Sequence, residues 1–457
     1  MYYSRYNILL PMPANAEFPY ALMNPLAGAF DLVGPDDYLK ISQLQPGREL
    51  PDPEPLGPEL LRYLTDRGYL YASPAEEDER LQERVPEFER ALHATAPQVL
   101  LVPTYACNLA CPYCYQNGIK HKNDLITKEV ADAFFAHLAR QFPGRKPFIT
   151  LFGGEPLNWS PRQKEIIDYI VKRAAGGGYA IAAVTNGYGL AEYLDILQQA
   201  VVREIQVTLD GPRAVHNRRR PTVGGQGTYD KIMNAVAATI ERGIPVNLRA
   251  VVDKSNFASL VDLAEDLDRR GWLDLPPQRF KTQIGRNYEL FECYAKPQHL
   301  LDQAEHWAMF VQLAAKHPLL PKFHQPEFKG INHLVQSGEL YLPSYDTCPA
   351  CKTEWVFDLY GDIYSCTATT GQDAYKLGTF YPEYRLHEQE VREWQERSVL
   401  TIPQCRDCAV SLICGGGCGA VAKEKHGKIQ APDCRPIKEI LTLGLEYYGD
   451  KILSMGY

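Results

Sequence analysis

The sequence predicts an α/β fold: a partial (β/α)6 barrel of TIM type, with a small α+β unit before it and a loop-rich region after it. Three observations carry this. Six apolar, strand-like runs lie between residues 98 and 284, and stretches with helical period separate them. Those separations suit helices rather than tight turns, which is the signature of parallel βαβ units. Beyond residue 345 cysteine and glycine become dense, as in a region held by bound metal more than by a large core.

Residues 1–95 read as a separate unit. YNILLP and DYLKISQL alternate like strands, and PELLRYLTDRGYLY sets Leu60, Leu61, Leu64 and Tyr69 along one helical face. The Pro-rich LPDPEPLGPE sits inside it, and AEEDERLQERVPEFERAL leads out as a charged helix. The barrel spans 96–290. Its strands are QVLLVPT, PFITLFGG, YAIAAVTNG, EIQVTLDG, PVNLRAVVD and RFKTQI. Its helices are TKEVADAFFAHLARQF, PRQKEIIDYIVKRAA, YDKIMNAVAATIERG and FASLVDLAEDLDRRG. In such a barrel functional groups gather on loops at the C-terminal strand ends. YACNLACPYC, GGEP, TNG and LDG follow strands one to four and so share one face. Residues 291–344 read as a helical linker, and 345–457 as the cysteine-rich tail.

Composition narrows the class. With 45 % hydrophobic and 23 % charged residues the chain is of globular type, and its net charge of −8 argues against nucleic acid as a partner. No apolar run reaches the roughly 18 residues of a membrane span, and no basic leader precedes the short apolar run at the N-terminus. The expected location is therefore the cytoplasm, where thiols stay reduced. Twelve cysteines there point to metal before disulfides.

Cys107, Cys111 and Cys114 form C-x3-C-x2-C on the loop after the first barrel strand. Thiolates so spaced can turn toward one centre, and soft thiolates select zinc, copper(I) or iron–sulfur. Three ligands to a four-iron cluster leave one iron open to substrate, whereas zinc more usually takes two C-x2-C pairs.

This loop, at this place in a βα repeat, resembles the radical S-adenosylmethionine (radical SAM) enzymes over roughly residues 98–290. Tyr113, just before the last cysteine, fits their pattern. Gly153-Gly154-Glu155-Pro156 resembles their GGEP motif, which binds the methionine amino group. The glycines would let backbone approach a ligand, and the carboxylate and carbonyls would accept from an ammonium. The resemblance implies that the open iron holds the amino and carboxylate groups of SAM. Reductive cleavage then releases a 5′-deoxyadenosyl radical that abstracts hydrogen from substrate, with an electron donor such as flavodoxin or ferredoxin. It also implies SAM contacts from Thr185, Asn186 and Gly187 after strand three, and from Thr208, Asp210 and Gly211 after strand four. Ordinary βα turns and caps explain these residues equally. HNRRRPTVGGQGTY resembles an H-D-x-x-R…G-x-G-[ST] segment of relatives. Asn217 stands where they have Asp, so only His216 and Arg220 carry over, and a solvated helix end is the plain alternative. Arg249, on strand five, would meet the SAM carboxylate or a structural ion-pair partner.

In the tail, Cys351, Gly361, Cys366, Cys405, Cys408, Cys414, Cys418 and Cys434 resemble the seven-cysteine signature of the SPASM domain, which carries auxiliary clusters; Cys348 would supply an eighth thiolate. The resemblance implies one cluster on Cys348, Cys351, Cys366 and Cys418, a second on Cys405, Cys408, Cys414 and Cys434, and three [4Fe–4S] clusters in all. Zinc in the tail is the alternative. Cys293 remains, as a small core residue or a hydrogen donor.

SPASM enzymes mostly modify peptides and proteins. Residues 1–95 resemble the winged-helix elements that bind a leader peptide by strand addition, or simply cap the barrel. The expectation is a maturase of a ribosomally made precursor peptide that forms a thioether or carbon–carbon crosslink. Sulfatase maturation, peptide epimerisation and backbone excision are the alternatives, as is a non-catalytic iron–sulfur or zinc scaffold. The sulfatase branch places an acid directly after the second tail cysteine; here Thr367 follows Cys366.

Overall fold

The computed structural model describes residues 1–12, 17–119, 123–142, 144–287, 290 and 297–455. Cys293 lies outside the described residues. The N-terminal strands are β1 (Tyr2–Tyr3), β2 (Ile8–Pro11), β3 (Tyr20–Asn24), β4 (Ala29–Val33), β5 (Arg48–Glu49) and β6 (Leu70–Tyr71). They form two antiparallel sheets, ordered β5-β1-β6 and β2-β3-β4. DYLKISQL is not a strand: helix Pro35–Ile41 covers most of it. Pro35 at the first helical position and Asp36 and Asp37 in the first turn start a helix there, and those signals outweigh the alternation.

The six expected barrel strands are β7 (Gln98–Thr104), β8 (Phe148–Gly153), β9 (Ile181–Thr185), β10 (Val202–Thr208), β11 (Val246–Val252) and β12 (Phe280–Arg286). They pair in sequence order, all parallel. Val99, Leu100, Leu101 and Val102 are all buried, as expected of a parallel strand covered on both faces. Helix starts are set by sequence. Thr127 accepts from the Val130 amide at 3.3 Å, and Ser160, followed by Pro161, accepts from the Gln163 amide at 3.2 Å.

The tail is less loop-rich than its cysteines and glycines predict. It contributes β13 (Glu354–Asp358), β14 (Asp362–Tyr364), β15 (Lys376–Thr379) and β16 (Arg385–Leu386), besides the 17-residue helix Ile437–Leu453. β13 pairs parallel with β7, so the described residues form one ten-stranded sheet, β12-β11-β10-β9-β8-β7-β13-β14-β15-β16. Trp355, Val356 and Phe357 join the barrel core; apolar burial, not metal alone, docks this region. The N-terminal unit is not separate either. Ile8, Leu10, Met23 and Phe30 share a core with Ile440, Leu441 and Leu445 of the last helix. Among the described residues no helix is long and apolar enough to cross a membrane.

Candidate active site

The parallel strands direct their C-terminal loops to one end of the sheet. A cavity of about 370 Å³ opens there, lined by Cys107, Cys111 and Cys114. The same wall carries Tyr113, Gly153, Gly154, Thr185, Asn186, Thr208, Arg220 and Arg249. Most candidates on the parallel strands' C-terminal loops thus meet at one place.

The glycines have a local reason. Gly153 has φ of +123°, and a Cβ there would stand 2.5 Å from the Thr104 carbonyl. A Cβ on Gly154 would stand 2.3 Å from the carbonyls of both Tyr105 and Ala106. The amides of Gly154 and Glu155 donate to the Thr104 and Ala106 carbonyls at 3.0 and 2.8 Å. This backbone therefore runs hard against the cysteine loop, which only glycine permits.

Glu155, Pro156 and Asp210 stand behind this wall rather than on it. Glu155 is fully buried, and its carboxylate accepts from Thr185 Oγ1 at 2.6 Å, the Asn186 amide at 2.6 Å and the Leu157 amide at 2.9 Å. Burial pushes its pKa up, and these three donors pull it back. The carbonyls of Glu155 and Pro156 accept from Gln163 Nε2 at 2.7 and 2.9 Å. Glu155 thus ties the strand-three loop to the GGEP loop. Asp210 accepts from the Tyr113 hydroxyl, from Arg219 Nε at 3.2 Å and from the Val251 amide at 3.2 Å. Its carboxylate anchors the aromatic ring of the cysteine loop.

Arg220 is buried; its Nη1 donates to Tyr113 Oη at 2.6 Å, while its Nε has no protein partner. Burial lowers the pKa of this guanidinium, and the Cys111 thiol, Tyr113 and Asp210 more than offset that. Arg249 Nε is also buried and unpartnered. It lies over Gly285, where a Cβ would come within 2.7 Å of it. His216 stays off the wall. Its Nδ1 accepts from the Asp210 amide at 3.2 Å, so Nε2 donates to Thr228 Oγ1 at 3.0 Å, and that hydroxyl donates to the Arg220 carbonyl at 2.7 Å. Burial drives its pKa down to about 3, so the ring is a neutral brace. Asn217, in place of the usual acid, accepts from the Thr228 and Tyr229 amides at 2.8 and 2.9 Å and starts the helix Tyr229–Glu241.

The thiols suit a metal centre. Cys107 opens to the cavity, yet desolvation and the Glu155 carboxylate push its pKa up to about 12; desolvation also raises Cys111. A coordinated thiol loses its proton outright, and Arg220 beside Cys111 offsets the resulting negative charge.

In the tail, Cys348, Cys351 and Cys366 stand within electrostatic reach of one another and of Cys418. Cys405 is likewise influenced by Cys414, Cys408 and Cys434. Burial pushes Cys348 and Cys405 each up to about 11. Among the described residues no three Cys, His, Asp or Glu side chains converge closely enough to grip one metal ion. Thiols serving a multi-iron cluster are spread by the cluster rather than drawn to one ion.

Sequence reasoning missed what joins the two thiol groups. Arg397 is buried and donates to Asp346 Oδ1 at 3.0 Å and to the carbonyls of Gly416, Gly417, Ile429 and Ala431 at 2.6, 3.2, 3.1 and 3.1 Å. Asp346 accepts from the Cys348 amide at 3.0 Å and pairs with Lys352 at 2.6 Å. Gly415, Gly416 and Gly417, between Cys414 and Cys418, all have positive φ (+59°, +74° and +72°). Arg286, at the end of β12, and Thr367, beside Cys366, were also missed as wall residues. Arg286 follows the same strand-end rule as TNG and LDG, two residues beyond the run read as strand six.

Known proteins bear on this arrangement. The profile of the radical SAM superfamily matches residues 101–267. The chain is 25 % identical to a mycofactocin maturase, MftC, of Mycobacterium tuberculosis, across 76 % of this chain and 84 % of that one. A solved structure of native anSMEcpe with bound AdoMet and Cp18Cys peptide superposes with a TM-score of 0.58 at 18 % identity, covering 79 % of this chain and 99 % of that one. Streptococcus suis SuiB bound to its precursor peptide SuiA gives a TM-score of 0.50 at 15 % identity, covering 95 % and 99 %. Residues 101–267 thus match a radical SAM domain, and the chain is an enzyme.

Proposed function

We propose that this enzyme modifies a ribosomally made precursor peptide, abstracting hydrogen from one of its residues and forming a thioether or carbon–carbon crosslink. The observation that carries the reading is the gathering of Cys107, Cys111 and Cys114 with Arg220, Arg249 and the Gly153–Gly154 backbone on one cavity wall. The MftC relative and the SuiB–SuiA complex support peptide as the substrate class.

In this reading Cys107, Cys111 and Cys114 hold the SAM-cleaving [4Fe–4S] cluster. Cys348, Cys351, Cys366 and Cys418 hold a second, and Cys405, Cys408, Cys414 and Cys434 a third. Bound there, the first supplies the electron that cleaves SAM to the 5′-deoxyadenosyl radical, and the others supply an acceptor for the electron left when the new bond forms. Arg249 pairs with the SAM carboxylate, while Thr185, Asn186 and Thr208 orient its polar groups. Arg220 balances the thiolates and holds Tyr113 in place. The N-terminal unit takes the leader peptide on a sheet edge. In the sheet β2-β3-β4 the Phe30 carbonyl on β4 already accepts from Arg67 Nη2 at 3.0 Å, so β2 is the edge we assign to the leader. Flavodoxin or ferredoxin is the donor we assign, and the cytoplasm the location.

The test is anaerobic. The reconstituted enzyme should bind about twelve irons, in three clusters of four, and with SAM and dithionite should release 5′-deoxyadenosine. Given its precursor peptide it should return a product lighter by two hydrogens. Zinc without iron, or unchanged peptide mass under active SAM cleavage, would overturn the reading or its crosslinking part respectively.

A further inference from the structure

We infer that Lys329 is a positioning residue for the electron released by the substrate. Its charge raises the reduction potential of the tail group on Cys405, Cys408, Cys414 and Cys434 above that of the group on Cys348, Cys351, Cys366 and Cys418. This rests on the three-cluster reading above and gives the two tail groups different work.

Lys329 is carried by an unusual backbone. Phe328 and Lys329 have φ of +40° and +58°, although neither is glycine. Residues with side chains adopt such angles at a cost and keep them where the surroundings impose them. Here the last helix does so. A Cβ on Gly444 would stand 2.6 Å from the Cβ of buried Phe328, and Tyr448, one turn on, donates its hydroxyl to the Pro326 carbonyl at 3.1 Å. Phe328 shares that core with Ile413 and Cys414. The bend therefore brings the next residue, Lys329, to the second thiol group, within electrostatic reach of Cys414.

The lysine finds no free carboxylate there. Arg435 at 2.7 Å and Lys425 at 3.6 Å already share Asp433. Arg397, a second guanidinium that reaches this group, pairs with Asp346 at 3.0 Å. Lys329 itself has neither a hydrogen bond nor an ion pair among the described residues. A half-buried ammonium in that state is unfavourable unless negative charge arrives, and deprotonated thiols would supply it. The first group differs. Lys352, beside Cys351, is paired with Asp346 at 2.6 Å, and Glu354, beside Cys366, adds no positive charge whether or not it holds a proton. Reduction adds one negative charge to a centre, so an unmatched cation next to it favours the reduced form.

This order suits the reaction. Thr367 and Ala368, next to Cys366, line the active-site cavity, so the first group borders the substrate. In the crosslinking reading the substrate gives one hydrogen atom to the 5′-deoxyadenosyl radical, one proton to solvent and one electron to the tail. That electron passes the first group and settles at the second, from which a carrier of flavodoxin or ferredoxin type removes it.

The test is potentiometry of the reconstituted, anaerobic enzyme, followed by electron paramagnetic resonance. Added SAM changes the signal of the barrel centre, so the other two potentials belong to the tail. Lys329→Met should weaken reduction at the higher of these about tenfold, a fall of about 59 mV for one electron, and leave the lower one in place. Lys329→Arg keeps the charge and should hold the wild-type value. Lys329→Asn, neutral and suited to positive φ, should repeat the shift and serves if the Met variant does not fold. No shift, equal shifts of both tail potentials, a shift of the lower one, or a shift in Lys329→Arg as large as in Lys329→Met would overturn the inference. Loss of tail iron from both neutral variants would do the same, since Lys329 would then be structural. Wild-type enzyme that binds zinc, or about four irons, would instead sink the three-cluster reading beneath it, and the inference with it.

Discussion

Cys107, Glu155 and His306 show how differently single residues act in this protein. Replacing Cys107 by Ala should remove about four of about twelve irons and reduce 5′-deoxyadenosine to background, while the tail clusters keep their absorbance. Glu155→Gln keeps the volume but turns an amide NH2 toward groups that are themselves donors. It should cost about 1–3 kcal/mol of stability, seen as a lower melting temperature, and raise the KM for SAM as the strand-three loop shifts. His306 packs edge-on against Phe257 and Trp307, and burial, with Arg286 nearby, drives its pKa down to about 3. Its folded value lies below the unfolded one of about 6.5, so its contribution is full above that pH and is lost as pH falls toward 3. Between pH 7 and 5 the wild type should lose about 2 kcal/mol relative to His306→Phe, measured by urea denaturation of both.

At the scale of elements, the glycines define how close the loops come. Gly417→Ala would combine a φ of +72° with a Cβ 2.3 Å from the Asp433 carbonyl. It should shed cluster iron from the tail and leave SAM cleavage at the barrel, read by iron counting beside deoxyadenosine assay. Elements also mark what the sequence could and could not reveal. The six barrel strands were legible because burial on both faces demands long apolar runs, and parallel pairing demands helices between them. The helix Pro35–Ile41 was not, because its first-turn signals compete with an alternation that suits either state. β13 was hidden among cysteines: its apolar residues announce a strand, but nothing local says that its partner is β7, some 250 residues earlier. The cavity residues were legible as motifs on strand ends. That Glu155 and Asp210 turn away from the cavity was not, because their donors come from neighbouring loops that the sequence does not bring together.

For the molecule as a whole, Arg397 and Asp346 form the joint of the tail. Removing one partner of a buried ion pair leaves the other charge unmatched. Arg397→Met should therefore cost about 3–5 kcal/mol, visible in chemical denaturation, and loosen both tail thiol groups together. The pairing of β13 with β7 has a consequence in time. A ribosome makes β7, the strand that leads into the three-cysteine loop, well before it makes residue 354. Until then the outer edge of that strand exposes unpaired amides and carbonyls, an invitation to other chains. Tyr105, at the start of the cysteine loop, must likewise wait for Asp358, to which its hydroxyl donates at 2.9 Å. The reactive centre is thus completed late in synthesis, and a nascent chain halted near residue 344 should aggregate before it can hold SAM. The fold itself withholds completion of the cysteine loop until the region that pairs with β7 is present.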